Sequence, residues 1–487
     1  MSGETTIRTA SQWLAHWATI TPDRPALVIE GQGSFRYAEW AIAVAQMARH
    51  LREIGVRPGM LVGIETADHY LHAVTILGAE TAGAHTLSFS AHEILNGDAA
   101  ISHCEWLLHA SDAAPILPPG RTSRLDRGFA AQVTQIVLTS DDVRALQHPR
   151  DPQAVVRVVR SSGTTGARKA VGYTGAILDS MLRAEASIGQ NNGRDCAIIL
   201  FYDFASTAGY RYMLTALYNG RPLYMIQPAS FGRVIEALPS FHVTAVQGQL
   251  PDIIGAYTNN FHFAPQRSIH IVGATVPADI WAQLTPQRFG YASNGYAPSE
   301  ALRVAYSSFG APYTLYDDAE MRIVDTDGTP VAPGESGLIE VRNPRMVSGY
   351  LWDPDLTAHH FVDGWFRTFD IGHMPTPRTL IVSGRADDML NIGGIKIMPG
   401  PFEARLRSVP GVKDVVLLAM PDRNNISRMH VVIESEKPTL DTALAATIRD
   451  TLGDTGFDFF LHCRTEFPRT ETGKVQRNAL RDMYAPV

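Results

Sequence analysis

Little in this chain of 487 residues suits a disulfide framework, a nucleic-acid surface or a membrane span. Its three cysteines, Cys104, Cys196 and Cys463, are scattered, with no pair at metal-ligand spacing. An odd, sparse set points to reduced thiols in the cytosol. There is no basic excess: 42 Lys+Arg stand against 49 Asp+Glu, a formal charge of -7. A general nucleic-acid binder, which must neutralise many phosphates, is thereby disfavoured. One small anionic ligand held by a few placed donors is not. No apolar run approaches the roughly 20 residues needed to cross a bilayer. The opening, MSGETTIRTASQWLAHW, lacks a basic stretch followed by an apolar core, so no secretory signal is expected there. No internal repeat or low-complexity tract occurs. A cytoplasmic protein is the expectation.

What is present is the balance of a folded protein, 45% hydrophobic and 19% charged. The length calls for two or more domains. In YAEWAIAVAQMARHLREIG, Trp40, Val44, Met47, Leu51 and Ile54 alternate spacings of four and three. That predicts one apolar helix face, closed by Gly55. Leu61 to Glu65, Ile136 to Leu138, Val155 to Val159 and Ala197 to Leu200 read as buried strands. Strands separated by helices imply crossovers and largely parallel sheets. Residues 110–127 read as a loop. MRIVDTDGTPVAPGESGLIEVR predicts two strands with turns at Asp327-Gly328 and Pro333-Gly334, a small β-rich section. Beyond Arg385 come further short strands, Val415 to Ala419 and His430 to Ile433, and a helix from near Thr439. The expected fold class is therefore α/β. A large N-terminal domain, residues 1–386, has parallel-type sheets with helices plus the small β-rich section. A small mobile α+β domain, residues 387–487, follows.

The most telling stretch is VVRVVRSSGTTGARKA. An apolar strand runs into Ser161, Ser162, Gly163, Thr164, Thr165 and Gly166, followed by Lys169. The glycines permit a close backbone approach, so successive N–H groups can converge on one anion. The hydroxyls and the lysine add donors suited to phosphates. No Walker A pattern fits here. A bare glycine loop is also what an ordinary surface turn looks like.

SSGTTGxxK resembles the phosphate loop of the adenylate-forming superfamily: acyl- and aryl-CoA synthetases, peptide-synthetase adenylation domains and luciferases. Further stretches resemble that superfamily's motifs in its order. TPDRPALVIEGQGSFRYAEW looks like its opening, and HIVGATVPADIW like the strand and turn beside the acyl group and adenine. YAPSE is similar to YGxTE, with Ala297 in place of glycine. SGYLWDPDLTAHHFVDGWFRTFDIG resembles GY…T…F…dGWfrTGDlg, with Phe369 where glycine is usual. SGRADDMLNIGGIKIMPGPFEARL and FPRTETGKVQR complete the set.

The resemblance implies ATP, Mg2+ and, as acceptor, CoA or a phosphopantetheine. It implies that Tyr296 stacks on adenine, Ser299 bonds the α-phosphate and Glu300 ligates magnesium. Gly273, Ala274, Thr275, Asn294 and Gly295 would border the nucleotide. Asp370 would accept from both ribose hydroxyls, and Arg385 would contact ribose or phosphate. Asp387 would be the hinge, Gly393 and Gly394 the wall of the acceptor path, and Lys474 the mobile catalytic lysine. The implied reaction is activation of a small carboxylic acid to acyl-AMP with loss of pyrophosphate, then thioester formation, with CoA the favoured acceptor. A stand-alone enzyme loading a carrier-protein phosphopantetheine is the alternative. A luciferase-like oxygenase would share these motifs. A non-catalytic nucleotide-binding module would be expected to lose Lys474 or Glu300.

By position the acyl pocket should be lined near Phe201 to Thr207, Gln247 to Leu250, Gly273 to Val276 and Ala292 to Gly295. Tyr202, Phe204, Gln247, Gly273 and Gly295 are its candidates. Asp203 could pair with a substrate amine, or could merely cap a helix start at Phe204. No carrier domain follows Lys474, so the acceptor would come from outside. No nucleic acid and no membrane insertion are expected.

Overall fold

The computed structural model describes residues 7–111, 121–125, 139–148, 150–161, 168–187, 195–238, 240–246, 249–257, 267–273, 276, 278–392, 395–421, 427–453, 458–469 and 475–484. The α/β class holds. One hydrogen-bonded sheet of 14 strands runs through most of the chain, and a six-stranded sheet packs beside it. In the larger sheet Pro25–Ile29, Leu223–Met225, Ala197–Leu200, Phe241–Val246, Arg267–Val272 and Tyr291–Tyr296 are parallel neighbours. In the smaller, Leu61–Glu65 pairs in parallel with His85–Phe89 and Trp106–His109. Helices Ala10–Ile20, Tyr37–Glu53, His69–Thr81 and Thr207–Asn219 fill the space around them, and their apolar faces share one core cluster.

The helix expected from Trp40 onward is Tyr37–Glu53, followed by Gly55 at φ +107°. That left-handed conformation suits glycine at a helix end. The predicted strands at Leu61–Glu65 and Ala197–Leu200 match residue for residue, and Val155 begins a strand that reaches Ser161. The Ile136 to Leu138 expectation lies outside the described residues. One expectation needs correction. The loop over residues 110–127 contains a short strand, Thr122–Arg124, paired with Trp106–His109. The β-rich section is present and continues the larger sheet. Glu320–Val324 and Gly337–Arg342 are the antiparallel edge of the 14-stranded sheet, joined to it through Trp365–Thr376. The turns were legible, but the register that makes the sheet continuous comes from distant partners.

The strand Thr379–Arg385 leads into a 3-10 turn at Ala386–Asp388. Beyond it, Asp414–Pro421, Ser427–Glu434 and Phe459–Arg464 form a three-stranded sheet, with a hairpin of Leu390–Ile392 and Ile395–Ile397. Their core, around Leu406, Val431 and Ile448, is a cluster of its own. The predicted helix is Thr442–Leu452, capped by Asp441. No helix among the described residues is long and apolar enough to cross a membrane.

Parallel strands place their loops at one edge of a sheet, and ligands of open α/β sheets lie outside the carboxyl ends. Residues 201–207, 249–250, 273 and 297–300 each follow the carboxyl end of a parallel strand here. Helix Thr207–Asn219 seats tightly against the first of these turns. A Cβ on Gly209 would lie 1.8 Å from the Asp203 carbonyl oxygen. Gly209→Ala should therefore lower the unfolding free energy by about 2 kcal/mol or more, since the obstacle is backbone. Urea denaturation of the variant beside the parent measures it; an unchanged midpoint would mean that the turn gives way freely.

Candidate functional site

Antiparallel pairing of Trp365–Thr376 with Thr379–Arg385 sets Asp370 opposite Arg385. The Tyr296 hydroxyl donates to Asp370 Oδ2 at 2.6 Å. The Arg385 guanidinium lies 3.7 Å from Asp370 on one side and 3.7 Å from Asp387 on the other. Burial, reinforced by the Asp370 charge, pushes the Tyr296 phenol well above its ordinary range, so it remains a donor. Arg385 Nε is buried with no hydrogen-bond partner among the described residues. Phe369, at the place where glycine is usual in the resembling motif, has φ +61°. The left-handed turn is therefore kept by a bulky residue, at a cost of about 1–3 kcal/mol. Its ring stacks on His359 at 5.0 Å, which offsets part of that cost.

Glu300 and Lys169 form the neighbouring half. The Glu300 side chain is buried and accepts from the Tyr350 hydroxyl at 2.8 Å. Lys169 Nζ lies 3.0 Å from His360 Nε2 and 5.3 Å from the Tyr350 ring centroid. His360 Nδ1 faces the Arg367 carbonyl at 3.0 Å and so must donate, which leaves Nε2 to accept from Lys169. Burial holds His360 down to about 4 and also lowers Lys169, against the pull of Glu300. The Arg385 charge acts on Tyr296, Tyr350, Lys169 and His360, so these groups face a common region. Ser299 joins them: its carbonyl accepts from Tyr173 at 2.8 Å, and its hydroxyl lies 3.4 Å from that of Thr207.

Of the loop expected to cradle phosphates, Ser161 pairs with Lys169 across antiparallel strands, so the two ends are adjacent. Glu93 ties the flanks, 2.8 Å from Arg160 and 2.5 Å from Arg168. Ser162, Gly163, Thr164, Thr165 and Gly166 lie outside the described residues, as do Gln247, Ala274, Thr275, Gly393, Gly394 and Lys474.

Among the residues expected to line an acyl pocket, the Tyr202 hydroxyl bonds Thr244 Oγ1. Asn294 Nδ2 donates to the Ile271 carbonyl at 3.0 Å, and its Oδ1 accepts from Tyr313. A Cβ on Gly295 would lie 3.1 Å from His270 Nε2, and Gly273 has φ +92°. Phe204 is fully buried in the core. Asp203 is exposed, and its Oδ1 accepts from the Ala205 N–H at 3.0 Å. The following helix starts at Thr207 with Ser206 as its cap, not at Phe204. Asp203 thus stabilises a turn before the helix. Tyr350, His360 and Glu93 escaped the sequence reading. Tyr350 and His360 both lie within the stretch SGYLWDPDLTAHHFVDGWFRTFDIG, and nothing in the spacing pairs these residues or Glu93 with their partners.

The description AMP-binding enzyme matches residues 14–351, more than half of the chain. The chain belongs to the AMP-binding enzyme family. Asp370, Arg385 and Lys474 lie beyond the matched part. Among curated relatives, the long-chain-fatty-acid–CoA ligase of Salmonella typhimurium is 27% identical over 74% of this chain, which spans 65% of that protein. Feruloyl-CoA synthase of an Amycolatopsis species is 26% identical over 97% of this chain and 98% of its own length. Among solved structures, o-succinylbenzoate CoA synthetase from Bacillus subtilis, in complex with an acyl-adenylate intermediate, has a TM-score of 0.80 at 20% identity, covering 97% of this AMP-binding enzyme and 98% of that chain. That likeness is one of fold.

His360 also makes the site sensitive to acid. In the unfolded chain it protonates near its ordinary 6.5, whereas the folded chain resists until about 4. Between these values the unfolded state binds more protons, so stability is complete above 6.5 and falls as pH drops through the window. His360→Gln should flatten that part of the stability profile, measured by urea denaturation from pH 7 to about 4. A profile parallel to the parent's would show that His360 titrates normally.

Proposed function

We propose that this AMP-binding enzyme activates a carboxylic acid with ATP, forming acyl-AMP and releasing pyrophosphate, and passes the acyl group to the thiol of CoA. The observation that carries the reading is the convergence of Lys169, Tyr296, Glu300, Asp370 and Arg385 on one region from separate parts of the chain. The curated relatives named as CoA ligases support CoA as the acceptor.

Both reactants are anions, so the barrier is largely repulsion and positioning. In this reading Asp370 accepts from the ribose hydroxyls, with Tyr296 and Arg385 holding its carboxylate in place. The unpartnered Arg385 Nε supplies a donor that a bound nucleotide would satisfy. Ser299 and Thr207 offer hydroxyls to the α-phosphate, and Lys169, directed by His360, offers its ammonium to the outer phosphates. The residues fit a magnesium ion held by the single carboxylate of Glu300, with phosphate oxygens and waters as the remaining ligands. Among the described residues no group of three acidic, histidine or cysteine side chains could hold a metal unaided. Bound there, the ion would neutralise the polyphosphate and help pyrophosphate leave.

The second step needs a different arrangement, with the smaller C-terminal part, residues 387–487, turning about Asp387. Arg477 lies 3.8 Å from Asp388 and 2.7 Å from Glu403, so the segment that follows Lys474 is tied to the hinge turn. Rotation about Asp387 would carry Lys474 with it. Lys474 would bridge carboxylate and α-phosphate in the first step and leave for the second. A fixed donor of this kind is worth about 3 kcal/mol or more. Lys474→Ala should abolish acyl-AMP formation while largely sparing thioester formation from supplied acyl-AMP. Equal loss of both half-reactions would overturn the lysine's role.

A further inference from the structure

Strands buried on both faces are ordinarily apolar on both. The parallel strands behind the candidate site are not. Phe241, Val243, Ala245, Ile269, Ile271 and Ala292 belong to an apolar cluster on one face. The opposite face carries His242, Thr244, Ser268, His270 and Ser293, all buried. They are in register, Thr244 beside His270 beside Ser293, and His242 beside Ser268. His242 bonds Ser268 at 2.8 Å and His270 bonds Ser293 at 2.8 Å. Helix Thr207–Asn219 lies over this polar face, with the Tyr212 and His242 rings 5.7 Å apart.

From that helix Arg211 enters the same interior, 5% exposed. Among the described residues, the one acidic side chain paired with it is already committed. Glu185 Oε1 takes Arg303 Nη2 at 2.5 Å and Nε at 2.7 Å, while Oε2 accepts from Thr215 at 2.6 Å. Arg211 Nε stands off at 3.5 Å. Its Nε and Nη2, and the Tyr212 hydroxyl, have no hydrogen-bond partner among the described residues. Among the described residues two guanidinium groups thus share one carboxylate, which leaves a surplus buried positive charge, an arrangement that is costly until an anion arrives. The charge of Arg211 acts on Tyr173 at the Ser299 side and on Tyr202 and His270 at the acyl side.

We propose that Arg211 reads a second carboxylate at the far end of the acid, so that the substrate class is dicarboxylic. Thr207, beside Ser299, lies one helical turn away, about 6 Å on the same face. The helix therefore presents two positions for anionic groups: one where the reacting carboxylate meets the nucleotide, the other at Arg211. A planar guanidinium whose Nε and Nη2 have no hydrogen-bond partner among the described residues matches a carboxylate in geometry as well as charge. The Tyr212 hydroxyl is a further donor to the same group.

This inference rests on the acid-activating reading of the site, and its test is chosen to stand apart from turnover. Adipate and hexanoate, and terephthalate and benzoate, are titrated calorimetrically into the wild-type protein, Arg211→Gln and Arg211→Lys, without ATP. The wild type should bind the dicarboxylate of each pair about 30-fold more tightly, a factor within the measured range for close charge pairs. Arg211→Gln should bring that ratio close to unity with monocarboxylate affinity unchanged, and Arg211→Lys should retain part of it. Because Arg211→Lys keeps the buried charge, it reads the preference even where Arg211→Gln lowers the melting temperature. Equal affinity of the wild type for both members of each pair would overturn the proposal. So would an equal loss of both in Arg211→Gln, which would put Arg211 on the carboxylate that all these acids share. An Arg211-dependent preference without any pyrophosphate exchange would support this inference and count against acyl-AMP formation.

Discussion

The Asp370 carboxylate, held between the Tyr296 hydroxyl and the Arg385 guanidinium, is the interaction on which the arrangement of the site depends. Tyr296 ends the last parallel strand of the large sheet, whereas Asp370 and Arg385 sit in its antiparallel part. Their meeting joins the two halves of the sheet at the edge where the loops gather. It also fixes the point from which the chain departs into the turn at Ala386–Asp388. The long Arg385 contacts, 3.7 Å to each carboxylate, leave that side chain able to exchange partners. In the proposed two-step reaction, a group shared between the nucleotide and the turn at Ala386–Asp388 would suit a site that changes shape between the steps.

Burial gives these groups their character. Tyr296, Tyr350 and Tyr173 are pushed up by desolvation and remain neutral donors at any physiological pH. His360 is pushed the other way and remains a neutral acceptor for Lys169. The donors are thus set before any substrate arrives, so little reorganisation is needed at the moment of reaction. The same logic explains the polar face beneath helix Thr207–Asn219. An ordinary core would have filled it with apolar side chains; here its imidazoles and hydroxyls satisfy one another, and Arg211 and the Tyr212 hydroxyl are the groups proposed to meet a polar ligand.

Much of this was legible in the residues. Apolar spacing located the helix from Trp40 because a helix exposes one face and buries the other, and that contrast is local. The strands at Leu61 and Ala197 were visible as short apolar runs between breakers. Motif order brought Tyr296, Glu300, Asp370 and Arg385 to one place before any coordinates did. The continuity of the 14-stranded sheet was not legible, since register depends on partners far away in the chain. That Phe369 keeps the turn where glycine is usual was not legible, because a φ of +61° cannot be seen in a side-chain name, and neither can the His359 ring that supports it. Arg211, Glu93 and His360 were missed for a related reason. A charged residue in a helix or loop reads as a solvated face until its burial and its neighbours are known.

In the proposed reaction the acid's carboxylate attacks the α-phosphorus of ATP. Oxygen labelling tests that bond directly. An acid carrying ¹⁸O in its carboxylate, turned over with ATP, magnesium and CoA, should leave one labelled oxygen in the AMP. Label found in inorganic phosphate or pyrophosphate instead would mean attack at another phosphorus and would contradict the account.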